Sequence, residues 1–154
     1  MRQFEITAKI TISSYKELNE EEKSLIELAK SSSMNAYAPY SLFKVGAAVL
    51  LENNEVVTGN NQENIAYPSG LCAERVAVFH ANAVFPDVKI KTIAIAAFFD
   101  GNYVEQISPC GSCRQALQEI ENKQKHSIRL LLYGRNEIYI IDSVKDLMPL
   151  SFSF

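Results

Sequence analysis

The sequence predicts an α/β domain with helices layered on a mixed sheet, and three observations predict it. Strand-like and helix-like segments follow the order β, α, β, β, α, β, α, β, β. Ile90 to Phe99 is nearly continuous in apolar residues, as a central strand buried on both faces requires. No repeat, low-complexity tract or linker interrupts the 154 residues, a length that suits one domain with a core needing no disulfide staples.

Phe4, Ile6, Ala8, Ile10 and Ile12 recur at every second position, the pattern of a half-buried strand. Asn19 is placed to cap a helix that opens on Glu20, Glu21 and Glu22, whose charges oppose the positive helix end. Leu25, Ile26, Leu28 and Ala29 supply its apolar face, and it ends near Ser31–Ser33. Tyr37 to Ser41 contains Pro39 and reads as a loop. Val45–Leu51 and Val56–Gly59 form a hairpin around Glu52-Asn53-Asn54-Glu55, because asparagine tolerates the left-handed backbone of a tight turn.

A polar loop, Asn60 to Leu71, leads to a helix from Cys72 to about Phe85, stopped by Pro86. After the strand Ile90–Phe99, Asp100-Gly101 makes a turn. A helix follows from Cys110 to about Lys123, preceded by Pro109. Ile128–Tyr133 and Ile138–Ile141 are two further strands, joined through Gly134, Arg135 and Asn136. Ser143 caps a short last helix before Pro149.

Composition narrows the function. With 47% hydrophobic and 21% charged residues, a net charge of −3 and a pI near 5.4, the chain is ordinary for a globular protein. It lacks the basic stripe that phosphate neutralisation demands, so a small substrate is favoured over nucleic acid. No apolar run approaches the roughly 20 residues of a membrane helix, and the N-terminus lacks a signal-peptide layout, which points to the cytoplasm. In a reducing compartment the three cysteines are thiols, available for packing, catalysis or a metal.

Those cysteines are Cys72, in Cys72-Ala73-Glu74-Arg75, and Cys110 and Cys113, in Pro109-Cys110-Gly111-Ser112-Cys113-Arg114. Each motif sits at a helix start, where free N–H groups and the helix dipole favour thiolate. Cys110 and Cys113 are three residues apart, so both sulfurs can reach one metal from the first turn. A redox pair would leave Cys72 and Glu74 unused, and a zinc ribbon needs a second Cys-x-x-Cys.

Three sulfurs leave one tetrahedral position open, as catalytic zinc sites do. His80 lies eight residues beyond Cys72, about 12 Å along a helix, and His126 lies at the far end of the next one. Neither reaches the cluster easily. Glu74 is the nearest carboxylate and fits a proton carrier.

With these motifs the sequence resembles the small homotetrameric zinc-dependent cytidine deaminases, whose wider class carries (His or Cys)-x-Glu followed by Pro-Cys-x-x-Cys. Ala36 to Ala48 is similar to the family's entry loop and first core strand, and Asn61-Gln62-Glu63-Asn64 to its nucleoside-recognition segment. Cys113-Arg114-Gln115 continues the second zinc motif. The resemblance covers about Leu25 to Phe152.

The resemblance implies a three-layer α/β/α fold with a mixed five-stranded sheet. Within a single domain spanning residues 1–154, residues 19–154 would be the family core, and residues 1–18 an extension adding one N-terminal strand. It implies one zinc ion per subunit on Cys72, Cys110 and Cys113, with Glu74 catalytic. Asn61 and Glu63 would bind ribose, Phe43 would lie beside the base and the Ala73 backbone would contact the pyrimidine. Arg75 would hydrogen-bond the ligand sulfurs and offset their charge, while Tyr67 and Phe152 would reach a neighbouring subunit's site in a homotetramer.

The implied reaction is hydrolytic deamination of cytidine and 2′-deoxycytidine to the uridines and ammonia by a zinc-activated hydroxide, in pyrimidine salvage. Ile65 stands where the family commonly has alanine, which bears on substrate tolerance. The competing readings are a deaminase of a cytosine-containing antibiotic, a non-enzymatic zinc module, and a nucleic-acid editing deaminase. The last is disfavoured by the acidic balance.

Overall fold

The computed structural model describes residues 1–152. Its strands are β1 (Thr11–Ser13), β2 (Lys44–Leu51), β3 (Val56–Asn60), β4 (Ile90–Phe99), β5 (Asn102–Tyr103), β6 (Arg129–Tyr133) and β7 (Ile138–Ile141). Its α-helices are α1 (Glu20–Met34), α2 (Ala73–Val84) and α3 (Gly111–Gln124). The strands form one sheet in the order β1-β7-β6-β4-β2-β3, with β5 on the end of β4. Among the strands of the described residues only β4 and β6 pair in parallel, joined through α3, so the sheet is mixed.

Strand alternation explains the three layers. Ala47, Val49 and Leu51 of β2, with Ile93 and Ile95 of β4, face α2 and α3 in one core. Ala48 and Leu50, with Ala94 and Ala96, face Leu25, Ile26 and Ala29 of α1 in the other. Both faces of β4 are thereby covered, which is why its sequence reads as one apolar run. Small residues on the α1 side let the helix approach closely. A Cβ on Gly46 would lie 2.0 Å from the Ala29 carbonyl oxygen.

α1 begins as its sequence requires. The Asn19 side chain accepts from the Glu22 N–H at 2.8 Å, and the Glu22 carboxylate accepts from the Asn19 N–H at 3.2 Å, a complete capping box. Asn54 takes a φ of 67° in the β2–β3 turn, and Asp100 and Gly101 take 49° and 78° in the turn after β4. Ser143 caps a short 3₁₀ turn, Val144–Leu147, through the Lys145 N–H.

Two expectations are corrected. The N-terminal alternation does not make a half-buried strand: only Thr11–Ser13 joins the sheet, at its edge beside β7, and Phe4, Ile6, Ile10 and Ile12 are all exposed. Alternation specifies faces, but residues 1–10 find no neighbouring strand to pair with among the described residues. The sheet also has seven strands, not five plus one, because the turn at Gly101 folds Asn102–Tyr103 back onto Phe98 and Phe99.

Candidate metal centre

The hairpin β2–β3 feeds α2, and β4 feeds α3, so both helices lie on one face of the sheet. Ala73, Ala77, Val78 and Ala81 of α2 join Leu117 and Ile120 of α3 in one core. A Cβ on Gly59 would fall 2.5 Å from the Ala77 amide nitrogen, so β3 sets the depth of α2. This packing brings the two helix starts together.

Cys72 is the N-cap of α2 and Cys110 the N-cap of α3, and neither sulfur makes a capping hydrogen bond. Their carbonyls instead accept the first helical bonds, from Val76 and Arg114. Cys113 lies one turn into α3 and is fully buried. The three sulfurs all lie within 4.8 Å of one another, and those of Cys72 and Cys110 are 3.8 Å apart. A tetrahedron with zinc–sulfur arms of about 2.3 Å has an edge of about 3.8 Å, so the donor set fits zinc. No His, Asp or Glu joins the trio as a further ligand among the described residues.

Electrostatics agree with a cation site. The hydrogen bond from Cys113 holds the Cys72 thiol down at about 5, helped by Arg75 and Cys110 against the opposing effect of burial. The same pairing with Cys72, together with burial, pushes Cys113 upward. The Cys72 thiolate is thus stabilised by a Cys113 thiol that keeps its proton, and a bound cation would favour ionisation of both. Arg75 donates from Nη2 to the Cys72 sulfur at 3.7 Å, while its Nε is buried without a hydrogen-bond partner among the described residues.

Glu74, two residues into α2, is 4% exposed. Burial pushes its carboxyl above the ordinary range and the nearby Cys72 charge adds to this, against a hydrogen bond from Cys113. A carboxyl that can hold a proton therefore touches the sulfur cluster.

A cleft of about 420 Å³ opens beside these groups. Cys72 and Arg75 line it together with Asn61, Glu63, Tyr40 and Tyr67. Asn61 ties the loop before β2: its Oδ1 accepts from the Val45 N–H at 2.8 Å and its Nδ2 donates to the Phe43 carbonyl at 2.9 Å. The Glu63 carboxylate accepts from the Tyr40 and Ser41 N–H groups at 2.9 and 3.2 Å and from the Ser41 hydroxyl. Those bonds, the hydroxyl's first, hold it below the ordinary carboxylate range.

The remaining expected residues spread more widely. Phe43 is half-buried against Phe99, with ring centroids 5.8 Å apart, and Ala73 is fully buried. Tyr67 packs edge-on to Tyr40 on this chain's own cleft. Phe152 is exposed, and its carbonyl accepts from Gln115 at 3.4 Å. Ile65 is 80% exposed. Arg114 anchors the approach to Cys110, donating to the Pro109 and Leu147 carbonyls and the Ser108 hydroxyl.

Sequence reasoning assigned no role to Ser41, which links Glu63 to the loop and accepts from the Phe43 N–H at 3.0 Å. A serine two residues before a loop amide is the available signal, since its hydroxyl readily caps such a turn.

Comparison with known proteins follows the same residues. The sequence model of the cytidine and deoxycytidylate deaminase zinc-binding region matches residues 19–127. A cytidine deaminase of Sporosarcina psychrophila is 43% identical over 99 residues, 64% of this chain and 68% of that protein. A cytidine deaminase of Halalkalibacterium halodurans is 40% identical over 96 residues, 62% and 69% of the two chains. A crystal structure of cytidine deaminase from Burkholderia pseudomallei superposes with a TM-score of 0.73 at 34% identity, covering 88% of this chain and all of that one.

Proposed function

The chain belongs to the cytidine and deoxycytidylate deaminase zinc-binding family, and from that premise we infer that it hydrolyses cytidine and 2′-deoxycytidine to the corresponding uridines and ammonia. The observation that carries this reading is the packing of three sulfurs within 4.8 Å of one another beside a buried glutamate, with Cys72 also lining a cleft. Cys72, Cys110 and Cys113 would hold zinc, which would supply a Lewis acid that lets a water lose its proton near neutral pH.

The chain's own residues then divide the work. Glu74 accepts a proton from the attacking water and delivers it to N3 of the pyrimidine while oxygen bonds to C4. It then carries the proton of the new C4 hydroxyl to the amino group as the C4–N bond breaks and the C4 carbonyl forms, so that water and cytidine become uridine and ammonia. Its raised affinity for a proton supports both transfers. Arg75 offsets the charge of the sulfurs, as the donor bond to Cys72 supports.

Asn61 and Glu63 recognise the sugar hydroxyls with the lone pairs left after they fix the loop. Phe43 flanks the base and the Ala73 backbone contacts its edge. A site that hydrogen-bonds the sugar disfavours free cytosine, which has no hydroxyl to offer, because the site's polar groups are then left unpaired.

Four copies would complete the site, with Tyr67 and Phe152 serving a neighbouring subunit. Residues 19–154 would be the catalytic unit and residues 1–18 an appendage. Among the described residues no helix is long and apolar enough to cross a membrane, and the free thiols suit a reducing cytoplasm, where salvage of pyrimidine nucleosides takes place.

Ammonia release from cytidine, 2′-deoxycytidine, cytidine monophosphate and free cytosine tests the substrate class. Turnover of the two nucleosides alone is expected. Equal turnover of free cytosine would contradict recognition through Asn61 and Glu63.

A further inference from the structure

Residues 1–10 lie outside the sheet and outside residues 19–127, the span that the family's sequence model matches. Their alternation is nonetheless regular. Phe4, Ile6, Ile10 and Ile12 share one face of an extended chain and are 71%, 50%, 45% and 56% exposed. Single exposed apolar residues are ordinary, but four on one face of one segment mark an interaction surface.

The segment continues into β1, which ends the strand order, so its outer edge is unpaired among the described residues. No proline interrupts residues 1–13 to protect that edge. The body of the protein holds the segment from one side. The Lys9 N–H donates to Asp146 Oδ1 at 3.2 Å, and Ala8 and Ile10 border a cavity with Tyr139 and Leu147.

The order of residues identifies the occupant. Two copies running antiparallel about a two-fold axis at Thr7 place Glu5 opposite Lys9, Phe4 opposite Ile10 and Ile6 opposite Ala8, each pair occurring twice. Opposite charges meet and apolar residues meet. Neighbouring registers lose this match. An axis at Ile6 or Ala8 sets Glu5 and Lys9 against uncharged residues, and an axis at Glu5 or Lys9 sets like charges together. An axis between two residues sets apolar against polar side chains. The inward Lys9 N–H also agrees, since alternation along an extended chain turns the Ala8 and Ile10 amides outward.

We propose that residues 3–11 are a pairing strand for a second copy of this chain, joining two sheets edge to edge about Thr7. This is β-augmentation between identical edges. It is a contact beyond the family core, and it stands whether or not the deaminase reading does.

Cross-linking of the full-length, zinc-loaded protein tests it without reference to activity. Directly opposed residues have Cβ atoms about 4.5–5.5 Å apart, so Thr7→Cys should give a disulfide-linked dimer under mild oxidation, while wild type and Gln3→Cys should not. Glu5→Lys added to Thr7→Cys opposes like charges twice and should lower the dimer yield several-fold. Adding Lys9→Glu as well reverses both charges and should restore it. Absence of the Thr7→Cys dimer, equal cross-linking from Gln3→Cys, or a yield indifferent to the charge exchange would each overturn the proposal.

Discussion

Leu42 has a φ of 59°, a conformation that leucine avoids because its Cβ crowds the backbone. It sits between Ser41, bound to Glu63, and Phe43, whose ring packs on Phe99. Such outliers persist where surrounding bonds over-determine them, and here those bonds shape the cleft wall. Leu42→Gly should relieve about 1 kcal/mol of strain and raise the melting temperature. Ser41→Ala should loosen Glu63 and the loop, raising KM about tenfold with kcat nearly unchanged, as loss of ground-state positioning does. A fall in kcat with constant KM would assign Ser41 to the chemistry instead. Glu74→Gln should retain zinc but lose roughly 10²–10⁴ in turnover, measured by ammonia release beside metal analysis. Arg75 favours the anionic forms of the groups it faces, so Arg75→Ala should raise the pKa on the acidic side of the pH–rate profile; an unmoved profile would leave it a structural arginine. The three clustered sulfurs were legible in the sequence because helix starts and Cys-x-x-Cys spacing have few uses. Ser41 and Leu42 were not, since a hydroxyl in a loop has many partners and a left-handed leucine has no sequence signature.

At the scale of elements, two glycines set how closely helices approach the sheet. Gly46 lies under α1, and Gly59 lies under α2, which carries Glu74 and Arg75 and is capped by Cys72. Gly59→Ala should push α2 outward, cost about 1–3 kcal/mol of stability, and weaken zinc retention, read by thermal melting and by metal content after dialysis. Unchanged melting and zinc would show that the close approach is not limiting. The core strands, hairpin and three α-helices were legible from period and caps, because α2, α3 and β4 bury whole faces that the sequence must keep apolar. The extent of β1 and the existence of β5 were not. Both depend on what lies beside them: β1 is limited to the residues that reach β7, and β5 forms where the turn at Gly101 returns the chain to β4. Alternating sequence cannot distinguish an edge that pairs within the chain from one left open.

For the whole molecule, the order of helices on the sheet matters more than any single contact. Placing α2 and α3 on one face, with their starts side by side, turns Cys72 and the distant Cys110 and Cys113 pair into one donor set beside an acid and a cleft. The net charge of −3 and the modest cleft suit a small neutral nucleoside better than a polyanion. Cys110→Ala should release zinc while the α/β/α core persists, because Cys110 is exposed at a helix end and contributes little packing; unchanged metal content would remove it from the donor set. The most direct test is cytidine turnover by one preparation before chelation, after chelation and after zinc is returned. Ammonia release should be lost with the metal and recovered with about one zinc ion per chain. Full activity in the chelated protein, or none in protein fully loaded with zinc, would contradict the assignment of the three sulfurs and Glu74 to deamination.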